Sequence, residues 1–185
     1  MIKNPWVVKS TEKKYKNAWI EVNEFNVINP SGKPGIYGTV SFNNLAIGII
    51  PLDTNGFTWL VGQWRFPLDA YSWEIPEGGG PLHQDPLTSA KRELKEETGL
   101  IAHSWTELSR LHTSNSVCDE LGILYLAHTL EYGTAEPEET ELLDIKKVHL
   151  NDAFEMVMKG EITDSLSQIG ILKAKIWYDN KINTQ

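Results

Sequence analysis

Cysteine is nearly absent from this chain of 185 residues, which contains only Cys118. One cysteine cannot form an internal disulfide, so a disulfide-stabilised secreted scaffold is excluded and a reducing compartment such as the cytoplasm is favoured. A catalytic thiol is conceivable at Cys118, but a single cysteine is more often a small buried hydrophobic residue.

Long hydrophobic runs are also missing. The most apolar stretch, Leu45 to Leu52, is far too short to span a bilayer and predicts a buried strand. The N-terminal sequence MIKNPWVVKS lacks the apolar segment of a signal peptide. Together with the single cysteine, these features predict a cytoplasmic protein without membrane spans.

Basic residues are scarce: 17 Lys and Arg face 25 Asp and Glu, for a net charge of −8. This balance argues against nucleic acid or an anionic membrane as the main partner, because both carry negative charge. A small phosphate ligand is still compatible, since local cations or a bound metal ion can outweigh the overall field.

The N-terminal region alternates polar and apolar residues as strands do. Three stretches show this pattern: Trp6 to Lys9, Ala18 to Val27, and Ile36 to Phe42. The second and third stretches are joined by the turn sequence NPSGKPG. Three short strands cannot bury their own apolar face, so they must pack on the rest of the chain or on a second copy. We therefore predict a small N-terminal β domain over residues 1–43 and a main domain over residues 44–185.

The main domain mixes predicted strands and helices, which indicates an α/β fold with a mixed sheet covered on both faces. The strands predicted are Leu45–Leu52 and Thr58–Trp64, joined by a DTNG hairpin turn, then Tyr71–Ile75, Gly122–Thr129 and Asp144–Leu150. The helices predicted are Pro86 to about Thr98, one from Asn151 or Asp152 to Gly160, and Asp164 to about Tyr178.

Three carboxylates converge on the first predicted helix. Glu93 and Glu97 are four residues apart and Glu96 is three from Glu93, so their side chains share one region of the helix surface. One interpretation is an ordinary charged face exposed to solvent, with Lys91 and Lys95 interspersed. The other is a metal site, because a hard cation such as Mg²⁺ prefers several oxygen ligands and would offset the repulsion between adjacent carboxylates.

The stretch that contains this helix resembles the Nudix box of hydrolases: Gly, five residues, Glu, seven residues, then Arg-Glu-apolar-x-Glu-Glu-x-Gly-apolar. Gln84 stands where the first Glu is expected, and eight of the nine specified positions match. From average residue usage, the five polar or glycine positions of the second half would match by chance about once in a million. The matching residues are Gly78, Arg92, Glu93, Leu94, Glu96, Glu97, Gly99 and Leu100.

The resemblance implies a Nudix α/β/α sandwich with a mixed sheet, preceded by a small N-terminal antiparallel β domain. It also implies Mg²⁺, or Mn²⁺ in its place, bound by Glu93, Glu97, Glu96 and the main-chain carbonyl of Glu77. Arg92 is expected to orient these carboxylates. By the same resemblance, Arg92, Glu96 and Glu97 are candidate catalytic residues, and the amide of Gln84 leaves the number and affinity of the metal ions open.

Two further motifs, LVGQWRFP and WEIPEGG, resemble those of ADP-ribose and nucleotide-sugar pyrophosphatases. That resemblance implies that Arg65 contacts a substrate phosphate and that Glu74 lines the same cleft. Trp64 is a candidate stacking surface for the nucleobase. Other aromatic residues are equally compatible with that role: Trp19, Phe25 and Tyr37.

Later acidic residues complete the predicted site. Glu120, in SNSVCDE, is a candidate carboxylate near the metal ions, although this match is loose. In the segment EETELLD, the resemblance implies that Glu139 is the general base and that Glu141 supports it. The acidic sequence AEPEE before them suits a loop that closes over substrate.

The predicted activity is Mg²⁺-dependent hydrolysis of nucleoside diphosphate sugars, with ADP-ribose giving AMP and ribose 5-phosphate. The alternatives are a hydrolase of another sugar nucleotide such as GDP-mannose, or a Nudix module that senses ADP-ribose without cleaving it. By resemblance to the subgroup, a homodimer with exchanged N-terminal strands is also expected.

Overall fold

The computed structural model describes residues 2–134 and 142–182. The chain forms two compact units. One consists of Met1–Asn44 and His112–Leu121, and the other of Leu45–Leu111 and Gly122–Gln185.

The first unit is built on an antiparallel sheet with strand order β1-β2-β3, formed by β1 (Val7–Lys16), β2 (Ile20–Ile28) and β3 (Pro34–Phe42). Strand β1 extends well beyond the predicted Trp6–Lys9, because its polar half pairs with β2 through ion pairs such as Lys14 to Glu24 at 3.1 Å. The segment 112–121 joins this sheet: the Tyr37 hydroxyl donates to the Ser116 carbonyl at 2.6 Å.

The remaining strands form two sheets, with orders β10-β5-β6 and β7-β4-β9-β8. Within the described part of the chain, no helix is long and apolar enough to cross a membrane. In chain order the elements are β4 (Asn44–Pro51), β5 (Phe57–Arg65), β6 (Ala70–Glu74), β7 (Glu77–Pro81), α1 (Pro86–Thr98), β8 (Leu100–His112), β9 (Leu121–Tyr132), β10 (Asp144–His149), α2 (Leu150–Met158) and α3 (Ser165–Ile182).

The predicted hairpin between β4 and β5 is wrong. The turn itself forms, since Gly56 has φ 82° and its N–H donates to the Asp53 carbonyl at 3.1 Å. However, β4 pairs in parallel with β9, whereas β5 pairs antiparallel with β6 and β10. The turn therefore carries the chain from one sheet to another, which the local sequence does not encode.

Strand β4 divides the core of the second unit into two sides. Ile47 lies near Gly80 and Ser89, on the side of α1, while Ile50 belongs to a large cluster formed with α2 and α3. Gly48 lies on the α2–α3 side, where a Cβ atom would come within 2.7 Å of Leu124 Cδ2. With helices packed on strands of mixed direction, the predicted α/β sandwich and the antiparallel N-terminal sheet are confirmed.

Helix α1 has the predicted bounds because both of its ends are specified locally. The Asp85 side chain accepts a hydrogen bond from the Thr88 N–H at 3.2 Å, and Pro86 occupies the first turn. At the other end, Gly99 adopts φ 71° and its N–H donates to the Lys95 carbonyl, which stops the helix. The buried face of the helix between these caps carries Glu93 and Glu97.

Ser167 links α3 to the strand segment that leads into the box. Its hydroxyl is fully buried and accepts a hydrogen bond from the Ile75 N–H at 3.0 Å. Ser167→Ala should lower the free energy of unfolding by about 1–3 kcal/mol, because a buried donor loses its acceptor. Denaturant unfolding would measure this, with the exposed Ser116→Ala as the control; equal stability of both variants would contradict the assignment.

Candidate active site

The two buried carboxylates of α1 lie directly against the backbone of β7. Glu93 is 8% exposed and Glu97 is 3% exposed. Glu97 Oε2 accepts a hydrogen bond from the Glu77 N–H at 3.0 Å. A Cβ atom at Gly78 would overlap the Glu93 carboxylate, so a larger residue there would force this carboxylate to move. The interpretation of this helix face as an ordinary solvated surface is therefore excluded.

Arg92 connects the carboxylates of Glu93 and Glu96 to the glycine-rich strand β7. Its Nη1 donates to Glu96 Oε2 at 2.6 Å, and its Nη2 donates to Glu93 Oε1 at 2.5 Å and to the Gly79 carbonyl at 3.0 Å. Burial alone would lower the pKa of Arg92, but the charges of Glu93 and Glu96 outweigh it and raise the pKa. Arg92 thus contacts two of the predicted metal ligands at once.

Arg65 is held by a second carboxylate pair. Its Nε donates to Glu74 Oε1 at 2.9 Å, and its Nη2 donates to Glu74 Oε2 and to Glu77 Oε1, the latter at 2.7 Å. Glu74 is only 2% exposed, so loss of this guanidinium would leave a buried carboxyl group without its partner. Within residues 2–134 and 142–182, Nη1 of Arg65 makes no hydrogen bond, and the side chain is 34% exposed. The Arg65 guanidinium is therefore fixed along its Nε–Nη2 edge and accessible at Nη1.

Glu77 joins Arg65 to Glu97, because its side chain accepts from Arg65 and its N–H donates to Glu97. Sequence reasoning missed the side-chain contact because it assigned only the main chain of this residue. Burial raises the pKa of the Glu77 carboxyl well above its ordinary value, and the charges of Asp164 and Glu74 add to this, while Arg65 opposes it. Asp164 also begins α3, where its Oδ2 accepts from the Ser167 N–H at 2.7 Å. The one sequence signal for its position was its place at the start of the last predicted helix.

The donor types fit a hard divalent cation. The cluster offers carboxylate oxygens, and Glu77 Oε2 is buried without a hydrogen-bond partner among the described residues. The space that a Cβ would fill at Gly78 instead holds the Glu93 carboxylate. The carboxylates do not converge on a single point, however: among the described residues, no three His, Cys, Asp or Glu side chains are arranged to hold a metal ion.

Three further groups of predicted site residues differ in how far the structure describes them. The Gln84 N–H donates to the Pro81 carbonyl at 3.0 Å, in the turn between β7 and α1. Glu120 belongs to the first unit, where its Oε2 accepts from the Thr113 hydroxyl at 2.7 Å. Glu139 and Glu141 lie outside the described residues.

The candidate stacking residues differ in exposure. Trp64, at the end of β5 beside Arg65, is 60% exposed, and Trp19, in the first unit, is 66% exposed. Tyr37 is engaged with Trp6 in an edge-to-face contact with ring centroids 5.2 Å apart. Phe25 lines an apolar cavity of the first unit with the same two rings. Trp64 is thus the exposed candidate that is adjacent in sequence to the predicted phosphate ligand.

Gly78→Ala tests the contact between β7 and α1. The added methyl group would displace the Glu93 carboxylate, so we expect Mg²⁺ affinity to fall about 10- to 100-fold, as when the support of a metal ligand is lost. Isothermal titration calorimetry would measure it. Gly35→Ala is the matched control, because nothing lies within 4 Å of a Cβ atom there; equal Mg²⁺ affinity in both variants would refute the contact.

Comparisons with known proteins identify relatives of this chain. The model of the NUDIX domain matches residues 43–166. An ADP-ribose pyrophosphatase of Bacillus subtilis (strain 168) is 31% identical over 128 residues, 68% of this chain and 69% of that protein. An ADP-ribose pyrophosphatase of Mycobacterium tuberculosis (strain ATCC 25618 / H37Rv) is 36% identical over 134 residues, 69% of this chain and 63% of that protein.

Among solved structures, the crystal structure of an ADP compounds hydrolase superposes with a TM-score of 0.86 and covers 98% of both chains. At 18% sequence identity, this likeness shows the fold. The domain match, the relatives and the box residues held between β7 and α1 lead to one conclusion: this chain belongs to the Nudix hydrolase family.

Proposed function

We propose that this chain hydrolyses the diphosphate bond of nucleoside diphosphate sugars, with ADP-ribose as the preferred substrate and AMP and ribose 5-phosphate as products. Two relatives that are 31% and 36% identical are ADP-ribose pyrophosphatases. The observation that carries the proposal is a continuous network: Arg65 binds Glu77, and the Glu77 N–H binds Glu97. This network joins the motif shared with the sugar-nucleotide enzymes to the Nudix box.

Arg65 is the proposed phosphate-binding group. Its Nε and Nη2 are held by Glu74 and Glu77, so the orientation of the guanidinium is fixed before substrate arrives. A fixed fork loses little entropy on binding, and a guanidinium matches phosphate oxygens and keeps its charge at any physiological pH. Arg65 would therefore orient the diphosphate, with Trp64 beside it as the proposed stacking surface for the base.

Mg²⁺ is the proposed cofactor, with Glu93, Glu97, Glu96 and the main-chain carbonyl of Glu77 as the residues that would hold it. When bound, such an ion polarises phosphate and lowers the pKa of water. Arg92 would keep Glu93 and Glu96 oriented through its three hydrogen bonds. Glu139 is proposed to take the proton of the attacking water, with Glu141 supporting it and Glu120 as a further carboxylate at the substrate.

Gln84 is the departure from the box that can be tested by restoring the acid. An amide accepts a hydrogen bond but carries no charge, so Gln84→Glu should tighten Mg²⁺ binding measurably if position 84 faces the metal site. Calorimetry of the apo protein with Mg²⁺ would show a lower Kd. An unchanged Kd would mean that position 84 only shapes the turn between β7 and α1.

A substrate panel tests the proposed specificity. Purified protein with Mg²⁺ would be incubated with ADP-ribose, GDP-mannose, other sugar nucleotides and nucleoside triphosphates, and the products identified. We expect ADP-ribose to be cleaved with the highest kcat/KM. A higher kcat/KM for GDP-mannose would show that ADP-ribose is not the preferred substrate. Turnover of triphosphates alone would refute the proposal that sugar nucleotides are the substrate class. Binding of ADP-ribose without cleavage would indicate a sensor.

A homodimer through the N-terminal strands is part of the proposal. Every residue of β1 is exposed, and the first unit also exposes large apolar side chains such as Trp19 and Ile36. Light scattering should give twice the mass of one chain, and removal of residues 1–43 should abolish the dimer. The cytoplasm is the proposed location, because a chain with a single cysteine suits a reducing compartment.

A further inference from the structure

Two residues, Ile75 and Pro76, carry the chain from β6 to β7 and so from one sheet of the second unit to another; we call them the crossing. Glu74 ends β6, in the sheet β10-β5-β6, and Glu77 begins β7, in the sheet β7-β4-β9-β8. Both side chains bind Arg65, whose Nε donates to Glu74 Oε1 at 2.9 Å and whose Nη2 donates to Glu77 Oε1 at 2.7 Å. The spacing of these two carboxylates therefore depends on how the crossing is held.

The main chain of the crossing is hydrogen-bonded on both sides. The Ser167 hydroxyl of α3 is fully buried and accepts from the Ile75 N–H at 3.0 Å. The Pro76 carbonyl accepts from the Ile49 N–H of β4 at 2.8 Å. The bond to α3 uses a side chain, so a substitution at position 167 can remove it while the crossing keeps its own sequence.

The side chain of Ile75 is buried between β4 and α3 at positions where both elements carry glycine. A Cβ atom at Gly48 would come within 2.9 Å of Ile75 Cδ1, and one at Gly170 within 3.3 Å. Ser167 and Gly170 are three residues apart on α3, so they lie on the same face of the helix. The missing side chain of Gly170 thus lets α3 lie close to the crossing, at the distance that the hydrogen bond of Ser167 requires.

Asp164 fixes the first turn of α3, in which Ser167 lies. Its Oδ2 accepts from the Ser167 N–H at 2.7 Å, and its carbonyl accepts from the Gln168 N–H at 3.0 Å. Such a cap holds the backbone of the first turn, and with it the direction of the Cα–Cβ bond that carries the hydroxyl. A continuous path of hydrogen bonds therefore runs from Asp164 through Ser167 to the crossing.

We propose that Ser167 is a positioning residue for Arg65, and that Asp164 holds Ser167 in place for this role. Ser167 acts through the main chain of the crossing, which sets where Glu74 and Glu77 hold the guanidinium. The catalytic consequence rests on the proposed function, because it takes Arg65 as the phosphate contact. The orientation of Arg65 itself can be measured without substrate.

The Nε–H resonance of Arg65 reports this orientation directly. The chain contains three arginines, so three such signals are expected by NMR of the full chain without Mg²⁺, each assigned by through-bond correlation to its backbone. In Ser167→Ala, the Arg65 signal should shift and its exchange with water should become about tenfold faster, because the hydrogen bond to Glu74 is weakened. Arg110 is the internal control: its Nε binds the exposed Glu107, and its signal should stay unchanged.

Further variants separate the position of Arg65 from the stability of the fold. Ser167→Cys fills similar space, but a thiol is a weak acceptor, so it should change the Arg65 signal as Ser167→Ala does. Asp164→Ala should also speed the exchange, whereas Asp164→Asn should keep the wild-type rate, because asparagine caps helices as well as aspartate does. Ile171→Val trims the hydrophobic cluster of α3 and should lower stability while the Arg65 signal stays unchanged.

Steady-state kinetics with ADP-ribose and Mg²⁺ test the catalytic consequence, at a temperature at which every variant is folded. For Ser167→Ala, kcat/KM should fall about tenfold, mainly through a higher KM, because a loosely held guanidinium binds phosphate less tightly. Ile171→Val should match the wild type.

Three results would overturn the proposal: an unchanged exchange rate of Arg65 in Ser167→Ala, an equal change in Ile171→Val, or cleavage of ADP-ribose by Ser167→Ala with the wild-type kcat/KM. If the wild-type chain does not cleave ADP-ribose, the proposed function fails, and the NMR comparison alone decides whether Ser167 positions Arg65.

Discussion

Glu97→Gln is expected to lower kcat/KM for ADP-ribose at least about a hundredfold, the scale on which loss of a catalytic charge or base acts. Glu97 is 3% exposed and accepts a hydrogen bond from the Glu77 N–H at 3.0 Å. A glutamine oxygen can keep that bond, so the fold should be retained while the charge is lost. Steady-state kinetics with Mg²⁺ would measure the effect.

The matched control for this variant is Glu161→Gln, at an exposed position after α2. It removes the same charge from the protein as a whole, so it separates the local role of Glu97 from the change in net charge. Near-normal turnover by Glu97→Gln, with its folding verified by circular dichroism, would show that the assignment of Glu97 as a metal ligand is wrong.

Arg65→Met should have the largest effect on stability, with a loss of about 3–5 kcal/mol in the free energy of unfolding. The reason is that Glu74, only 2% exposed, would keep its carboxylate without the guanidinium that binds both of its oxygens. For a chain of this length the melting temperature should fall on the order of 10 °C. Phosphate binding should be lost as well, because the same fork is the proposed substrate contact.

Arg110→Met is a close control for Arg65→Met. Arg110 also binds a carboxylate through two nitrogens, at 2.8 and 3.0 Å, but that pair with Glu107 is exposed and screened by solvent, so its loss should change stability little. Replacing both Arg65 and Glu74 by apolar residues should restore part of the lost stability, since of the two carboxyls that bind Arg65 only Glu77 then lacks its partner. Equal effects of Arg65→Met and Arg110→Met on the melting temperature would contradict the account.

Local signals explain which parts of the fold could be predicted from sequence. The bounds of α1 were predictable because Asp85, Pro86 and Gly99 specify its ends within a few residues. The pairing of β4 with β9 was not, because a turn sequence such as DTNG records that the chain reverses but not which strand becomes its neighbour. Strand β7 was missed because three of its five residues are glycines, which have low β-propensity.

Some features of the candidate site could be predicted from the sequence and others could not. The box spacing was enough to predict that Glu93 and Glu97 share one face of α1, since helical periodicity requires it, whereas the burial of that face is seen only in the structure. The contact between Arg65 and the Glu77 side chain was not predictable, because it joins strands β5 and β7, which belong to different sheets. The roles of Glu139 and Glu141 remain predictions from resemblance, as both lie outside the described residues.

The central claim is a Mg²⁺-dependent cleavage of ADP-ribose, and product analysis tests it most directly. The purified chain would be incubated with ADP-ribose and Mg²⁺, with and without excess chelator, and the products separated by chromatography. The account predicts equal amounts of AMP and ribose 5-phosphate with Mg²⁺ and none with chelator. Intact ADP-ribose in the presence of Mg²⁺ or Mn²⁺, or cleavage that the chelator leaves unchanged, would contradict it.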